Sequence, residues 1–531
     1  MARVIGWILD VFVEGNRAII WIKTCEGQIL KLFDTYEPMF YVLPKDEDAG
    51  AEIFHKLSIE NKVRKEEWAI KFTDLFDRRM KRLICIYPEP MFYYKVLRKL
   101  EKDHRVALLF NTDLSCLQDY LFTKLRIEPT SKVEVEYDKS HLIKIKKLDD
   151  EDTLEPPPFS ILHFEIEPSL DTDDIILEIK ARHQGENGEE VLFEGEEGAI
   201  LKEFCDYVQK EDPDILISTN KLLDHLLARM SIYGLDLGRE CGIQGRVCLD
   251  SKSFHLDLDL PALIERARFG FLPLQLASRY GMNRLIDGRN CYELIQRGFV
   301  IPSRIDSRNH EPIRTLDDIN AKDKGGMIFS PRVGLHENVV VLDYQNEYAN
   351  LIVKQNLSYE TSEEKGILPT VIEHVLKRRI FFKNLQKSFP VNTNEWIWCE
   401  QRINTLKSIL VSLYGTSGSF WNRFANVETF EEINRLSREI LIKTKDIVQE
   451  HGFELLYADT DSVFLRKNSA PIEEYENVKD TLVKEIGLPI SIEQYYKFLV
   501  LLPLEASERM EALKHYFGMT QSGETLQEVS R

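Results

Sequence analysis

Residues 148–158 read LDDEDTLEPPP, and the run Pro156, Pro157, Pro158 constrains the fold more than any other stretch of the 531-residue chain. Each proline removes a backbone donor and fixes φ, so neither a helix interior nor a central strand can pass through it. The acidic residues just before it keep the segment in water, and the chain must break here into separately packed parts. A chain of this length has room for roughly three or four domains of ~150 residues. Its 43% hydrophobic content is that of an ordinary globular protein.

Before the break, residues 1 to about 45 alternate apolar and polar residues with turn signals at Gly15 and Gly27, which predicts a small β-rich unit, and a helix is expected over 90–104. After it, FSILHFEIEP and DIILEIKARH read as strands, AILKEFCDYVQKE as an amphipathic helix and DPDILIST as a further strand. Such alternation predicts an α/β domain from about 155 to 300. The last third opens with NVVVLDYQNEYANLI, a near-continuous apolar strand ending at Asp343. Helices are expected at 369–387 after Pro369, at 396–414 ending at Gly415, and at 429–451 stopping at Gly452. No internal repeat or low-complexity tract is visible.

The net charge of −19 argues against a general nucleic-acid coat protein, although LKRRIFFKNLQK at 376–387 is strongly basic. Eight cysteines are scattered singly with no C-x-x-C pair, which predicts a reducing, cytoplasmic setting. Asp10 interrupts the apolar start, and no run approaches the ~18 apolar residues of a membrane span.

LLYADTDSVFL, residues 455–465, places Asp459 and Asp461 inside a strand-like segment. If the strand stays extended, the two carboxylates share a face; if it turns at Thr460, they sit at a hairpin tip. Alone, the pattern fits an acidic tip in solvent better than a metal site. Asp343 adds a third carboxylate at a strand end, where ligands gather in sheet proteins. Three such acids can hold two divalent ions ~4 Å apart, an arrangement suited to phosphoryl transfer.

Five motifs in order then carry a resemblance. VLDYQNEYANLIVKQNLSYET resembles the D-F-x-S-L-Y-P-S-I-I and N-L-S-x-x-T motif of family B DNA polymerases, and YADTDS is similar to their Y-G-D-T-D-S. GILPTVIEHVLKRRIFFK resembles the first fingers helix, QRINTLKSILVSLYG the K-x-x-x-N-S-x-Y-G helix, and EALKHYFG the K-K-R-Y-x-G element. The N-terminal DVFVEGNRAIIWIKTCEGQILKLFDTYEPMFYVLP is similar to the opening of archaeal members, and the chain looks like their divergent B2-like group.

The resemblance implies an α+β multidomain fold: a β-rich N-terminal domain at 1–150, an RNase-H-like exonuclease-type domain at 155–330, a palm with a carboxylate-bearing antiparallel sheet at 331–357 and 425–531, and helical fingers at 358–424. The thumb is expected to be absent, which makes a separate polypeptide supplying it, and a sliding clamp, expected partners beside primer-template DNA and deoxynucleoside triphosphates. The implied activity is template-directed DNA synthesis with two Mg²⁺ ions, for which Mn²⁺ can substitute. Asp343 and Asp461 would be the main ligands, with Asp459 close by and the Tyr344 carbonyl helping. Arg379, Lys383 and Lys407 would hold the triphosphate. Tyr348 would exclude a 2′-hydroxyl and Tyr414 would stand beside the nascent base pair, with Gly415 allowing close approach. Lys514 and Tyr516 would contact primer-template DNA.

Two departures bear on that reading. Val411 stands where the family has Asn, and Glu347 replaces an apolar residue, adding negative charge near a triphosphate site. In the exonuclease-type domain Glu165 replaces the first Asp of the D-x-E strand whose second acid is Glu167, moving the carboxylate by about 1.5 Å. Asn220 and Asp224 stand one residue out of register, and Phe271, Leu274 and Gln275 occupy the third acid's region. Proofreading is expected to be lost, with repair or lesion bypass as a role. The alternatives are a weakly active or inactive relative acting as a DNA-binding or scaffold subunit and, less well supported, an exonuclease without polymerase activity.

Overall fold

A computed structural model describes every residue except 61, 76–78, 149–151, 170–174, 185–189, 220–221, 251–258, 305–324, 361–363, 420, 505–506, 521–524 and 530–531, together with the side chains of 250, 504–514 and 525–529. The chain folds into two compact units. The first comprises 1–309, 375–412 and 422–424, and the second 310–374, 413–421 and 425–531.

In the first unit β1 (Ala2–Glu14), β2 (Arg17–Thr24) and β3 (Ile29–Thr35) close a barrel with β8 (Lys132–Asp138) and β9 (His141–Lys147). The order β1-β2-β3-β9-β8, with β3 and β9 parallel, is that of a five-stranded OB-like barrel. Between β3 and β8 the chain inserts β4 (Phe40–Pro44), α1 (Glu47–Ser58), β5 (Val63–Phe72), β6 (Met80–Pro88), α2 (Tyr93–Glu101) and β7 (Val106–Phe110), a ferredoxin-like sheet of order β5-β6-β4-β7.

Either sheet could serve elsewhere as a nucleic-acid platform, but both faces are covered within the unit. On β2 Trp21 is buried, and a Cβ on Gly245 would come within 2.8 Å of its ring. Lys23 pairs with Asp214 at 2.9 Å and Gln244 donates to Glu14 at 2.9 Å. On the ferredoxin-like sheet Tyr41, Leu83, Cys85 and Phe110 pack under Val300.

The next sheet has the order β12-β11-β10-β13-β14, from β10 (Ile161–Pro168), β11 (Ile176–His183), β12 (Glu190–Glu194), β13 (Ile215–Ser218) and β14 (Val247–Asp250). Antiparallel β10–β11 and parallel β10–β13 pairs make it mixed, and the side chains of α3 (Glu197–Glu211) fill one face. Helices α4 (Leu260–Gly270) and α5 (Met282–Gln296) follow.

The second unit is built on a seven-stranded antiparallel sheet, β15-β17-β18-β16-β19-β20-β21. Its strands are β15 (Ile328–Phe329), β16 (Gly334–Tyr344), β17 (Glu454–Asp459), β18 (Ser462–Arg466), β19 (Ile490–Leu504), β20 (Ser507–Thr520) and β21 (Thr525–Val529). Central β16 explains the unbroken apolar run: Val340, Leu342 and Tyr344 face one core while Val339 and Val341 face the other. Helix α6 (Glu347–Gln355) follows β16, and α7 (Ile367–Gln386) and α8 (Asn394–Ser417) run from this unit into the first and back. Helices α9 (Val427–Glu450) and α10 (Ile472–Ile486) supply the apolar faces that pack against the sheet.

Two expected helix ends shift. Pro369 lies inside the first turn of α7 rather than before it, where its missing N–H costs no helical bond. Helix α8 runs past Gly415 to Ser417, since glycine ends a helix only where the backbone also turns left-handed, and Gly415 does not.

Candidate active site

The segment LLYADTDSVFL is a hairpin, not one strand. Asp459 ends β17, Thr460 and Asp461 form the turn, and Ser462 opens β18 opposite Asp459. Thr460 has φ +58, a left-handed conformation that costs a β-branched residue roughly 1–2 kcal/mol and that two-residue hairpin turns require. Its N–H donates to the Met327 carbonyl at 3.1 Å, which fixes the turn to the strand beyond β17.

Strand β18 lies between β16 and β17, so Ser462 pairs with both Asp343 and Asp459. The two aspartates thus stand level on either side of Ser462, their backbones roughly 10 Å apart at two strand spacings. The Ser462 hydroxyl donates to Asp343 at 3.1 Å and the Tyr457 hydroxyl to Asp459 at 3.2 Å. The Tyr344 N–H donates to the Asp461 carbonyl at 2.9 Å, which ties the turn to the end of β16. All three carboxylates are half-buried. Among the described residues no three His, Cys, Asp or Glu side chains converge closely enough to cage an ion by themselves. The Tyr344 ring is buried in the core and its hydroxyl meets Thr444, so the backbone carbonyl is what it can offer a ligand.

Behind these acids Asn346, left-handed at φ +49, turns the chain into α6 and places Glu347 and Tyr348 in its first turn. Glu347 is buried, and burial pushes its carboxyl up to about 8; a Ser437 hydroxyl contact opposes the shift, and the charges of Asp461 and Asp343 add to it. The negative charge expected at this position is therefore mostly neutralised by a proton near pH 7. Tyr348 stacks on Tyr414, ring centroids 4.3 Å apart and planes at 15°.

A family model described as DNA polymerase family B matches residues 289–364 and 361–503, a span that contains all three aspartates. A DNA polymerase of Archaeoglobus fulgidus is 22% identical over 98% of this chain and 77% of its own length. DNA polymerase 2 of Saccharolobus solfataricus is 26% identical over 49% of this chain and 41% of its own length. The fold is that of the family B DNA polymerase of Pyrobaculum calidifontis, with TM-score 0.72 and 20% identity over 99% of this chain and 81% of that one. Residues 289–503, which hold the three aspartates, are thus similar to DNA polymerase family B.

In the first unit, α7 and α8 form a helical hairpin joined by Gln386, which donates to Glu400 at 2.7 Å. Arg379 is buried on α7, where burial lowers its pKa, while Lys383 one turn on is exposed. Lys407, Val411 and Gly415 make an exposed stripe on α8. A Cβ on Gly415 would meet nothing within 4 Å, so internal packing does not require glycine there. Tyr516 is half-buried with its ring edge-on to Phe464 at 5.2 Å. Lys514 lies in β20, with its side chain outside the described ones.

Sequence reasoning missed the ion cluster that anchors this hairpin. Glu265 on α4 accepts two bonds from Arg378, at 2.6 and 2.8 Å, and one from Arg402 at 2.8 Å. Arg402 also donates to the Leu154 carbonyl at 2.8 Å, beside the proline break. Burial alone would raise the Glu265 carboxyl, yet the two guanidiniums outweigh it and hold it down at about 2. A lone Glu in LPALIERARFG carries no local sign of such partners.

In the region expected to be an exonuclease-type domain, Leu162, Phe164 and Ile166 of β10 face the core, which puts Glu165 and Glu167 on the exposed face. Glu165 stands opposite Lys180 of β11 in the strand register, while the Lys180 ammonium pairs with Glu178 at 2.6 Å. Asp224 is exposed on another helix, and Asn220 lies outside the described residues. Phe271 and Leu274 are core residues, Phe271 stacking on Tyr292 with centroids 4.0 Å apart.

Proposed function

We propose that this chain is a template-directed DNA polymerase that joins a deoxynucleotide to a primer 3′-hydroxyl. The observation that carries the reading is Asp343, Asp459 and Asp461 gathered around Ser462 inside the family-matched region. An open carboxylate set suits Mg²⁺, which binds one or two carboxylates and keeps waters and substrate phosphates as its other ligands. Asp343 and Asp461 would hold two ions, with Asp459 and the Tyr344 carbonyl in support. The ions, Mg²⁺ or Mn²⁺, would lower the pKa of the primer hydroxyl and offset charge developing on the α-phosphate.

The chain's own groups do the rest of the work. Ser462 and Tyr457 orient two of the carboxylates through the bonds described above. Arg379, Lys383 and Lys407 bind the triphosphate, Arg379 as a planar fork. Tyr348 excludes a ribose 2′-hydroxyl, Tyr414 flanks the nascent base pair, and Gly415 leaves open space for close approach. Lys514 and Tyr516 contact primer-template DNA. Proofreading is absent or ineffective in this reading, because core residues fill the third acid's region and Glu165 replaces the first. Repair or lesion bypass is the cellular role we assign; a damaged template that stops synthesis completely would remove it.

Val411, exposed on α8 where the resemblance expects Asn, favours a second reading, a weakly active relative serving as a DNA-binding subunit. Primer extension with Mg²⁺ separates the two. Extension by the wild type that disappears in Asp461→Ala supports the polymerase, whereas equal extension by both, or none by either, overturns it.

A further inference from the structure

Tyr348 is held from behind by a stack of rings within the second unit. Its ring lies on Tyr414, and Tyr414 lies on Phe430 of α9, centroids 5.1 Å apart and planes at 23°. Gly418 makes room for the third ring, since a Cβ there would come within 2.6 Å of Phe430. One turn along α9 from Phe430, Asn434 is 2% exposed and accepts a hydrogen bond from the Tyr414 hydroxyl at 2.6 Å. At the opposite end, the Tyr348 hydroxyl and Thr460 both approach Gly326: a Cβ on Gly326 would be 3.5 Å from Tyr348 Oη and 3.1 Å from Thr460 Oγ1. The ring proposed to test the sugar is thus bounded by the carboxylate hairpin on one side and by the Tyr414–Asn434 bond on the other.

We infer that Asn434 is a positioning residue for sugar selection, fixing Tyr348 through Tyr414 so that a 2′-hydroxyl finds no room. This rests on the polymerase reading above. A stacked ring can slide with little resistance, whereas a hydroxyl that donates to a buried acceptor is held at its rim. Without that acceptor Tyr414 loses its anchor on α9, and Tyr348 follows the face it rests on. Asn434 touches no substrate in this scheme; it acts through two rings.

The test compares single ribonucleotide and deoxynucleotide incorporation by the full chain with Mg²⁺, reading the ratio of the two kcat/KM values. Because both substrates see the same preparation, partial unfolding cancels. Asn434→Leu is expected to raise the ribonucleotide share by about tenfold, the effect of losing one hydrogen bond to a buried acceptor. Asn434→Asp, which keeps an acceptor oxygen in place, is expected to restore most of the discrimination. Tyr414→Phe combined with Asn434→Leu should do no more than the larger single change, because both remove one bond. If Asn434→Leu does not fold, Asn434→Ser withdraws the acceptor without apolar intrusion and is read the same way. An unchanged ratio in an active variant overturns the inference and leaves the polymerase reading standing. A wild type that incorporates neither nucleotide overturns that reading, and this inference with it.

Discussion

Glu347 shows how a residue legible in the sequence can acquire the opposite electrostatic meaning in the fold. As a letter it adds charge to a nucleotide site; buried and facing Asp461 and Asp343, it holds its proton up to about pH 8. A carboxyl whose folded pKa lies above its unfolded value of about 4.3 makes the folded state bind more protons between those two pH values. Stability in metal-free buffer should therefore fall as pH rises from about 4.3 to about 8, and level off above. Glu347→Gln is expected to flatten that slope and to melt higher than the wild type at pH 8.5, with little difference at pH 4; melting curves across this range check it. An identical slope in both proteins would show the carboxyl to be ionised throughout. Asn434 left a fainter trace. It shares the buried stripe of α9 with Ser437, Leu441, Thr444 and Val448, and polar residues recurring on the apolar face of an amphipathic helix are the signal that they meet something polar.

At the scale of elements, the two helices expected at 369–387 and 396–414 from Pro369 and Gly415 form at 367–386 and 394–417, but what holds them was not legible. Arg378 and Arg402 belong to different helices, and Glu265 stands more than a hundred residues earlier in the chain. Removing one partner of a buried ion cluster leaves the others desolvated without compensation. Glu265→Ala is accordingly expected to cost about 3–5 kcal/mol, read as a lower urea midpoint for the first unit. Because Arg378 and Arg402 hold the Glu265 carboxyl below its unfolded pKa, the cluster's contribution is present above about pH 4.3 and is lost as pH falls towards about 2. Wild type and Glu265→Ala should therefore converge in stability at the acid end. The DTDS hairpin is the reverse case. Its residues announced a turn or a strand with equal force, and the bond from Thr460 to Met327 shows which.

Across the whole molecule, the sheet β10–β14 has a filled core, while Glu165, Glu167 and Asp224 are exposed and Phe271 is fully buried. A primer with a mismatched 3′ end should therefore remain uncut by the full chain in Mg²⁺ without nucleotides, and Glu165→Asp alone should not restore cleavage; shortening of that primer by the wild type would return proofreading to the protein. Among the described residues no helix is long and apolar enough to cross a membrane. By itself the sequence determined the β-rich start, the strands that follow Pro156–Pro158, the apolar strand ending at Asp343 and the family resemblance, because periodicity and contiguous motifs are local properties. The separation expected at Pro156–Pro158 is not a boundary between units, since 1–309 packs as one, with Lys23 paired to Asp214 across it. Only the tertiary structure decided that Asp343 and Asp459 flank one serine, that Glu347 keeps its proton, that Asn434 holds a tyrosine and that one glutamate anchors two helices. Each of those depends on a partner far along the chain, and a burial that only folding creates.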